Sequence, residues 1–156
     1  MQQAFAPGTI LVFDKGYIDF QWFATLTGAG VFFVTRLKAA ADYRVGERRA
    51  PPQARGILAD QLIQFRGPLT RRKYPDRLRR VVARTPAGER WEFLTNHLTL
   101  GASTVAQIYK DRWQIELFFK ALKQNLRVKT FVGTSANALH IQVWTALIAL
   151  LVLKYL

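Results

Sequence analysis

Four side chains at fixed spacing, Tyr109, Arg112, Glu116 and Lys123, carry the clearest chemistry in this sequence. A helix turns about 100° per residue, so on one helix these four and Lys120 share a stripe about 80° wide. Beside it runs an apolar seam of Ile108, Ile115, Phe119, Leu122 and Leu126, so the polar stripe borders a face built for packing. A carboxylate ringed by three cations and a phenol suits a site where cations hold phosphates and the carboxylate holds a divalent metal. The same residues also suit a solvated helix with Arg112–Glu116 and Glu116–Lys120 pairs, each contributing about 0.2–0.5 kcal/mol. Spacing alone leaves both readings open.

The charge balance narrows the partner. The chain has 156 residues, with 23 Lys and Arg against 10 Asp and Glu, a net charge of +13. Half of the residues are hydrophobic, enough for a buried core and against intrinsic disorder. A folded protein this basic points to a polyanion, nucleic acid ahead of an anionic membrane surface. Cysteine is absent, which excludes a disulfide framework, a thiolate zinc site and a cysteine nucleophile. The two histidines, His97 and His140, are too few for a histidine metal site. Residues 1–8 lack the basic and apolar regions of a signal peptide. The apolar run Val143–Leu153 falls short of the roughly 20 residues that span a bilayer and reads as a core helix, so no membrane partner is expected.

Residues 10–13 (ILVF), bounded by Gly8 and by Asp14-Lys15-Gly16, read as a central strand buried on both faces. A short helix over Ile18–Leu26 and a strand over Val31–Leu37 follow. Ala39–Ala54, with Pro51-Pro52, reads as a loop. Gln61–Arg66, Leu78–Arg84 and Arg90–Leu94 read as an arginine-rich antiparallel meander, the last two strands joined near Pro86-Ala87-Gly88. A helix capped by Ser103 or Thr104 runs to about Asn125 and a second from about Ala136 to the end. The expected fold is thus α/β: a strand–helix–strand core (residues 1–38), a β-rich insertion (39–100) and two C-terminal helices (101–156).

The Tyr109-x2-Arg112-x3-Glu116-x6-Lys123 pattern resembles the signature of IS4-family bacterial DDE transposases. Residues 12–17 (VFDKGY), 33–38 (FVTRLK), 93–96 (FLTN) and 108–120 around the signature match that family too, in order and over nearly the whole chain. The resemblance implies an RNase H-like core in which three carboxylates bind two Mg²⁺ (or Mn²⁺) ions. Those metals support in-line attack on a phosphodiester, first by water and then by a DNA 3′-hydroxyl. Asp14 matches the second acid, at a strand end, and Glu116 the third. Arg112, Lys120, Lys123 and Tyr109 would then bind DNA, Arg36 would meet a phosphate, and Trp91 would stack on a base flipped from the duplex. For Trp91 the alternative is packing within the β insertion. The implied partners are double-stranded DNA, as transposon end and target, and a second copy of the full-length enzyme, in a bacterial cytoplasm at the nucleoid.

The first acid of the family pattern has no counterpart. The 13 residues before Asp14 contain no Asp or Glu, and Asp111 lies about 140° from Glu116 around the helix. The chain therefore reads as the C-terminal portion of such a catalytic domain, a partial RNase H-like core with an incomplete two-metal site and little activity alone. The strand ending in Asp14 is then expected to offer an unpaired edge and to favour self-association. The alternative function is a non-catalytic DNA-binding remnant able to inhibit the full-length transposase.

Overall fold

The computed structural model describes residues 5–50, 56–85 and 87–125, together with 141, 144, 145 and 148; the side chains of 113, 115, 118, 119 and 121–125 lie outside that description. The chain divides into two compact units, residues 1–112 and 113–156. The first holds a six-stranded sheet in the order β1-β2-β6-β5-β4-β3. Its strands are β1 (Ile10–Val12), β2 (Phe32–Arg36), β3 (Tyr43–Arg49), β4 (Ile57–Phe65), β5 (Leu78–Arg84) and β6 (Arg90–Thr95). The helices are α1 (Phe20–Gly28), α2 (Pro68–Lys73) and α3 (Ala102–Asn125). β1 and β2 run parallel and every other pairing is antiparallel.

Alternation of side chains across this sheet makes two cores. On one face α1 buries Phe23 and Leu26 against Phe33, Ile63, Phe65, Leu78 and Leu94. On the other the first two turns of α3 bury Ala102, Val105 and Tyr109 against Val34, Val81, Ala83 and Phe93. α1 starts cleanly because the Asp19 carboxylate accepts the backbone N–H groups of Gln21 and Trp22, the usual duty of an N-cap.

The sheet departs from the sequence reading in three places. Among the described residues β1 is an edge strand paired only with β2, and is half-buried rather than central. Its continuous apolar run arises because Leu11 and Phe13 face one core while Ile10 and Val12 face the other. Within the β-rich segment β6 pairs with β2, so the arginine-rich strands continue the core sheet. Tyr43–Arg49, read as loop, is the opposite edge strand. Its five middle residues are exposed and it is bulged between Val45 and Glu47, which suits an edge that resists further pairing. α2, six residues long, closes the β4–β5 connection, where no helix was expected. The expected helix from about Ala136 lies mostly outside the described residues, and among those described no helix is long and apolar enough to cross a membrane.

One buried ion pair ties the sheet to α3. Arg79 of β5 makes a bidentate pair with Asp60 of β4, Nε to Oδ1 at 2.8 Å and Nη2 to Oδ2 at 2.7 Å, with both side chains almost fully buried. Its remaining Nη1 donates to the carbonyls of His97, Leu98 and Leu100, just before α3 begins. His97 completes that turn by accepting the Leu100 N–H at Nδ1, 3.2 Å away. Removing one partner of such a pair leaves an uncompensated buried charge, at a cost of about 3–5 kcal/mol. Asp60→Ala should therefore lose about that much stability in urea unfolding, while Glu47→Ala, which breaks a largely exposed pair with Arg49, should stay within about 0.5 kcal/mol of the parent. A loss below about 1 kcal/mol for Asp60→Ala would show that Arg79 does not depend on its carboxylate.

Candidate functional site

Asp14 stands just past the C-terminal end of β1, where the chain turns sharply. Its Oδ1 accepts the Gly16 backbone N–H at 2.9 Å and so caps a 3-10 turn over Lys15–Tyr17. That bond fixes one carboxylate oxygen. The other, Oδ2, faces Nη2 of Arg112 at 3.8 Å, a long ion pair, and the Asp14 side chain is 39% exposed.

Arg112 reaches Asp14 because Tyr109 anchors the helix one turn earlier. Tyr109 is 1% exposed, packed at 5.3 Å from the Phe93 ring and edge-on to Trp91 at 6.2 Å. Its hydroxyl accepts a hydrogen bond from Arg112 Nη2 at 3.1 Å, and the Arg112 guanidinium lies 4.8 Å from the phenol ring centre. Burial raises the Tyr109 pKa, opposed by the neighbouring Arg112 charge. The phenol is thus a neutral support for a cation and does not itself face solvent.

A second cation enters from β2. Arg36, paired in register with Phe93, holds its guanidinium 5.0 Å from the Trp91 ring centre. Trp91 is half-buried, edge-on to Phe93 at 6.2 Å, and donates its indole N–H to Glu89 at 3.1 Å. The Trp91 ring is therefore packed within the sheet layer and capped by Arg36 on one side.

The array Asp14–Arg112–Tyr109–Trp91–Arg36 brings together five of the eight residues singled out from the sequence. Two planar guanidinium groups and one accessible carboxylate line the end of the parallel strand pair. Guanidinium forks match phosphate oxygens two at a time. Glu116 and Lys120 are exposed on α3 in the second unit. Lys123 lies in the last turns of α3, its side chain outside the described residues. Among the described residues no group of three His, Cys, Asp or Glu could hold a metal. As single ligands Asp14 and Glu116 have the right donor chemistry for Mg²⁺, hard carboxylate oxygens, and the Asp14 side chain is partly exposed.

The sequence reading missed the residues that seat this array. Asn96, at the end of β6, accepts the Phe33 N–H at 2.8 Å and donates to Val31 O and Thr27 Oγ1, both at 2.9 Å. It locks β2, β6 and the end of α1 together. The Asp60–Arg79 pair sets where α3 starts. Asp60 gave a signal, an acid within an apolar strand, but its partner could not be chosen among so many arginines.

The transposase DDE domain family model matches residues 1–152. A Sinorhizobium fredii protein named as transposase y4zB is 34% identical over 155 residues, covering 97% of this chain and 43% of its own length. A Geobacillus stearothermophilus protein named as a transposase for insertion sequence element IS5377 is 29% identical over 149 residues, covering 94% of this chain and 39% of its own. A Synechocystis protein named as a transposase for insertion sequence element IS4SA is 48% identical over 52 residues, 33% of this chain and 15% of its own. The chain thus spans about two fifths of the length of the two curated relatives it matches throughout. No solved structure matches it.

Tyr109 gives the site a pH signature. Its folded pKa is raised by burial, as is that of Tyr74, while in the unfolded chain both ionise near the ordinary value of about 10. Their contribution to stability is complete below pH of about 10 and is lost as pH rises through the raised folded values. Unfolding midpoints should hold to pH of about 9.5 and then fall, and Tyr109→Phe should flatten that fall. An unchanged alkaline fall in Tyr109→Phe would place the phenol in water.

Proposed function

The chain belongs to the transposase DDE domain family, and from that premise we propose that it carries the second and third acids of a transposase catalytic centre, Asp14 and Glu116. The reaction is cleavage of a transposon end and transfer of the freed strand to target DNA. The observation that carries the reading is the pairing of a partly exposed Asp14 with Arg112 at a strand end, beside Arg36 and Trp91.

Each residue has a distinct task. Asp14 and Glu116 would hold the divalent cation. Bound there, such a cation supplies Lewis-acid stabilisation of phosphate oxygens and lowers the pKa of a bound water. Arg112 holds a phosphate next to that carboxylate and balances its charge, and Tyr109 fixes where Arg112 stands. Arg36 binds the next phosphate or stacks its guanidinium plane on an unpaired base, with Trp91 as the surface behind it. Lys120 and Lys123 would bind DNA phosphates as well. The partners are double-stranded DNA and a second copy of the whole enzyme, acting at the bacterial nucleoid.

A second reading has an observation of its own. The described residues contain no three-carboxylate group. A polypeptide of these 156 residues would then bind DNA without cutting it and compete with a complete transposase for its ends.

Both readings require the two arginines to touch DNA. A hydrogen bond to a charged group contributes about 1.5–3 kcal/mol, so Arg36→Gln and Arg112→Gln should each weaken duplex affinity about tenfold or more at fixed salt, measured by fluorescence anisotropy. Equal affinity in both variants would remove the array from the DNA interface.

A further inference from the structure

A second cationic surface lies apart from this array, on the β4–β5 connection. Residues 66–77 hold five cations, Arg66, Arg71, Arg72, Lys73 and Arg77, and one acid, Asp76. All six side chains are exposed. None of the five cations is in an ion pair with a described carboxylate. Four acids elsewhere do pair with arginines: Asp60 with Arg79, Glu92 with Arg80 and Arg90, Glu47 with Arg49 and Asp14 with Arg112.

The connection is also built to hold still. Ile63 and Leu78 are paired in register, so the whole excursion starts and ends at one point of the sheet. Tyr74, 2% exposed, anchors it in the α1-side core, and its hydroxyl lies 3.1 Å from Thr27 Oγ1. Gln64 clamps the far end through Pro75 O at 2.8 Å. α2 between these anchors buries none of its own residues and spans about 9 Å. Five cations are thus held on a short, anchored segment at no gain to the fold, a cost in mutual repulsion that a polyanion would offset.

We propose that residues 66–77 form a second duplex-DNA surface, gripping the phosphate backbone without reading sequence. It rests on the reading that the chain acts on DNA, and it adds a place where a DNA segment is held. α2 packs on the α1 layer of the sheet, whereas Arg36, Trp91 and Tyr109 belong to the α3 layer. A protein that joins one DNA to another needs more than one DNA contact, and two faces of one sheet supply them. Duplex DNA fits better than an anionic membrane: four of the five cations are arginine, and Leu69 is the lone large apolar side chain exposed on α2, where an interfacial helix needs a continuous apolar face.

The test compares two charge-matched variants. Arg71→Gln/Arg72→Gln removes two charges from the surface, and Arg48→Gln/Arg84→Gln removes two exposed charges elsewhere. Binding of a random-sequence 30-bp duplex is followed by anisotropy across about 50–200 mM salt, where each phosphate contact contributes about 0.9 to the log–log slope. The surface variant should lose about 1.5–2 of slope and bind at least tenfold more weakly, while the control keeps the parent slope. Matching urea midpoints in all three chains exclude unfolding as the cause. Equal slopes in the two variants, with the parent binding DNA normally, would overturn this surface and leave the DNA reading intact. A parent chain with no affinity for duplex would overturn both. Loss of binding to phosphatidylserine vesicles in the surface variant, with duplex binding unchanged, would assign the surface to a membrane and overturn the proposal.

Discussion

Burial of Tyr109 is the constraint on which the rest of the site depends. α3 is a long helix of mixed polar and apolar residues, and within the first unit it meets the sheet through Ala102, Val105 and Tyr109. Tyr109 is the last and largest of these contacts. Seated against Phe93 and Trp91, it sets the rotation of the helix, and rotation decides that Arg112, three residues on, emerges beside Asp14. The same ring backs the Arg112 guanidinium and accepts its hydrogen bond. A buried aromatic with one polar tip does both jobs, packing with its body and positioning with its oxygen.

That geometry needs the helix to start in the right place, which the sheet enforces from the other end. Arg79 uses three of its donor nitrogens, two on Asp60 and one on the carbonyls that lead into α3. Asn96 does the equivalent for β2, β6 and α1. The strands that read as an insertion are therefore part of the support for the site. Their arginines divide by role: Arg79 and Arg80 face inward onto carboxylates and hold the sheet, and Arg66, Arg71, Arg72 and Arg77 face solvent. A net charge of +13 conceals this division between buried arginines held by carboxylates and exposed arginines on the β4–β5 connection.

Much of this was legible in the residues. The strands at 10–12, 32–36, 78–84 and 90–95 and the helix beginning at Ala102 follow apolar patterning closely. β3 was not legible because this exposed edge strand, YRVGERR, carries its two larger apolar residues, Tyr43 and Val45, only at its start. α2 was hidden by its length and by the Gly-Pro that opens it. β1 misled because an apolar run reports coverage of both faces and says nothing of which edges are paired. Within the site, the Tyr-Arg-Glu spacing implied a single shared stripe, whereas Tyr109 is buried and Arg112 stands at the margin of the core. About 60° separates Tyr109 from Arg112 around the helix, enough to carry one into the core and leave the other at its margin. The positioning residues were invisible for a different reason: a buried Asp–Arg pair is chosen by strand register, which no local pattern encodes.

The most direct measurement is the Mg²⁺ dependence of duplex affinity at constant ionic strength, in the parent chain and in Asp14→Asn. If Asp14 is a metal-binding carboxylate facing DNA, then in chelator it repels phosphates and the variant binds more tightly than the parent. Adding Mg²⁺ then strengthens the parent and leaves the variant unmoved. The same Mg²⁺ response in both chains would contradict a metal-holding role for Asp14 and, with it, the catalytic assignment of the β1 end.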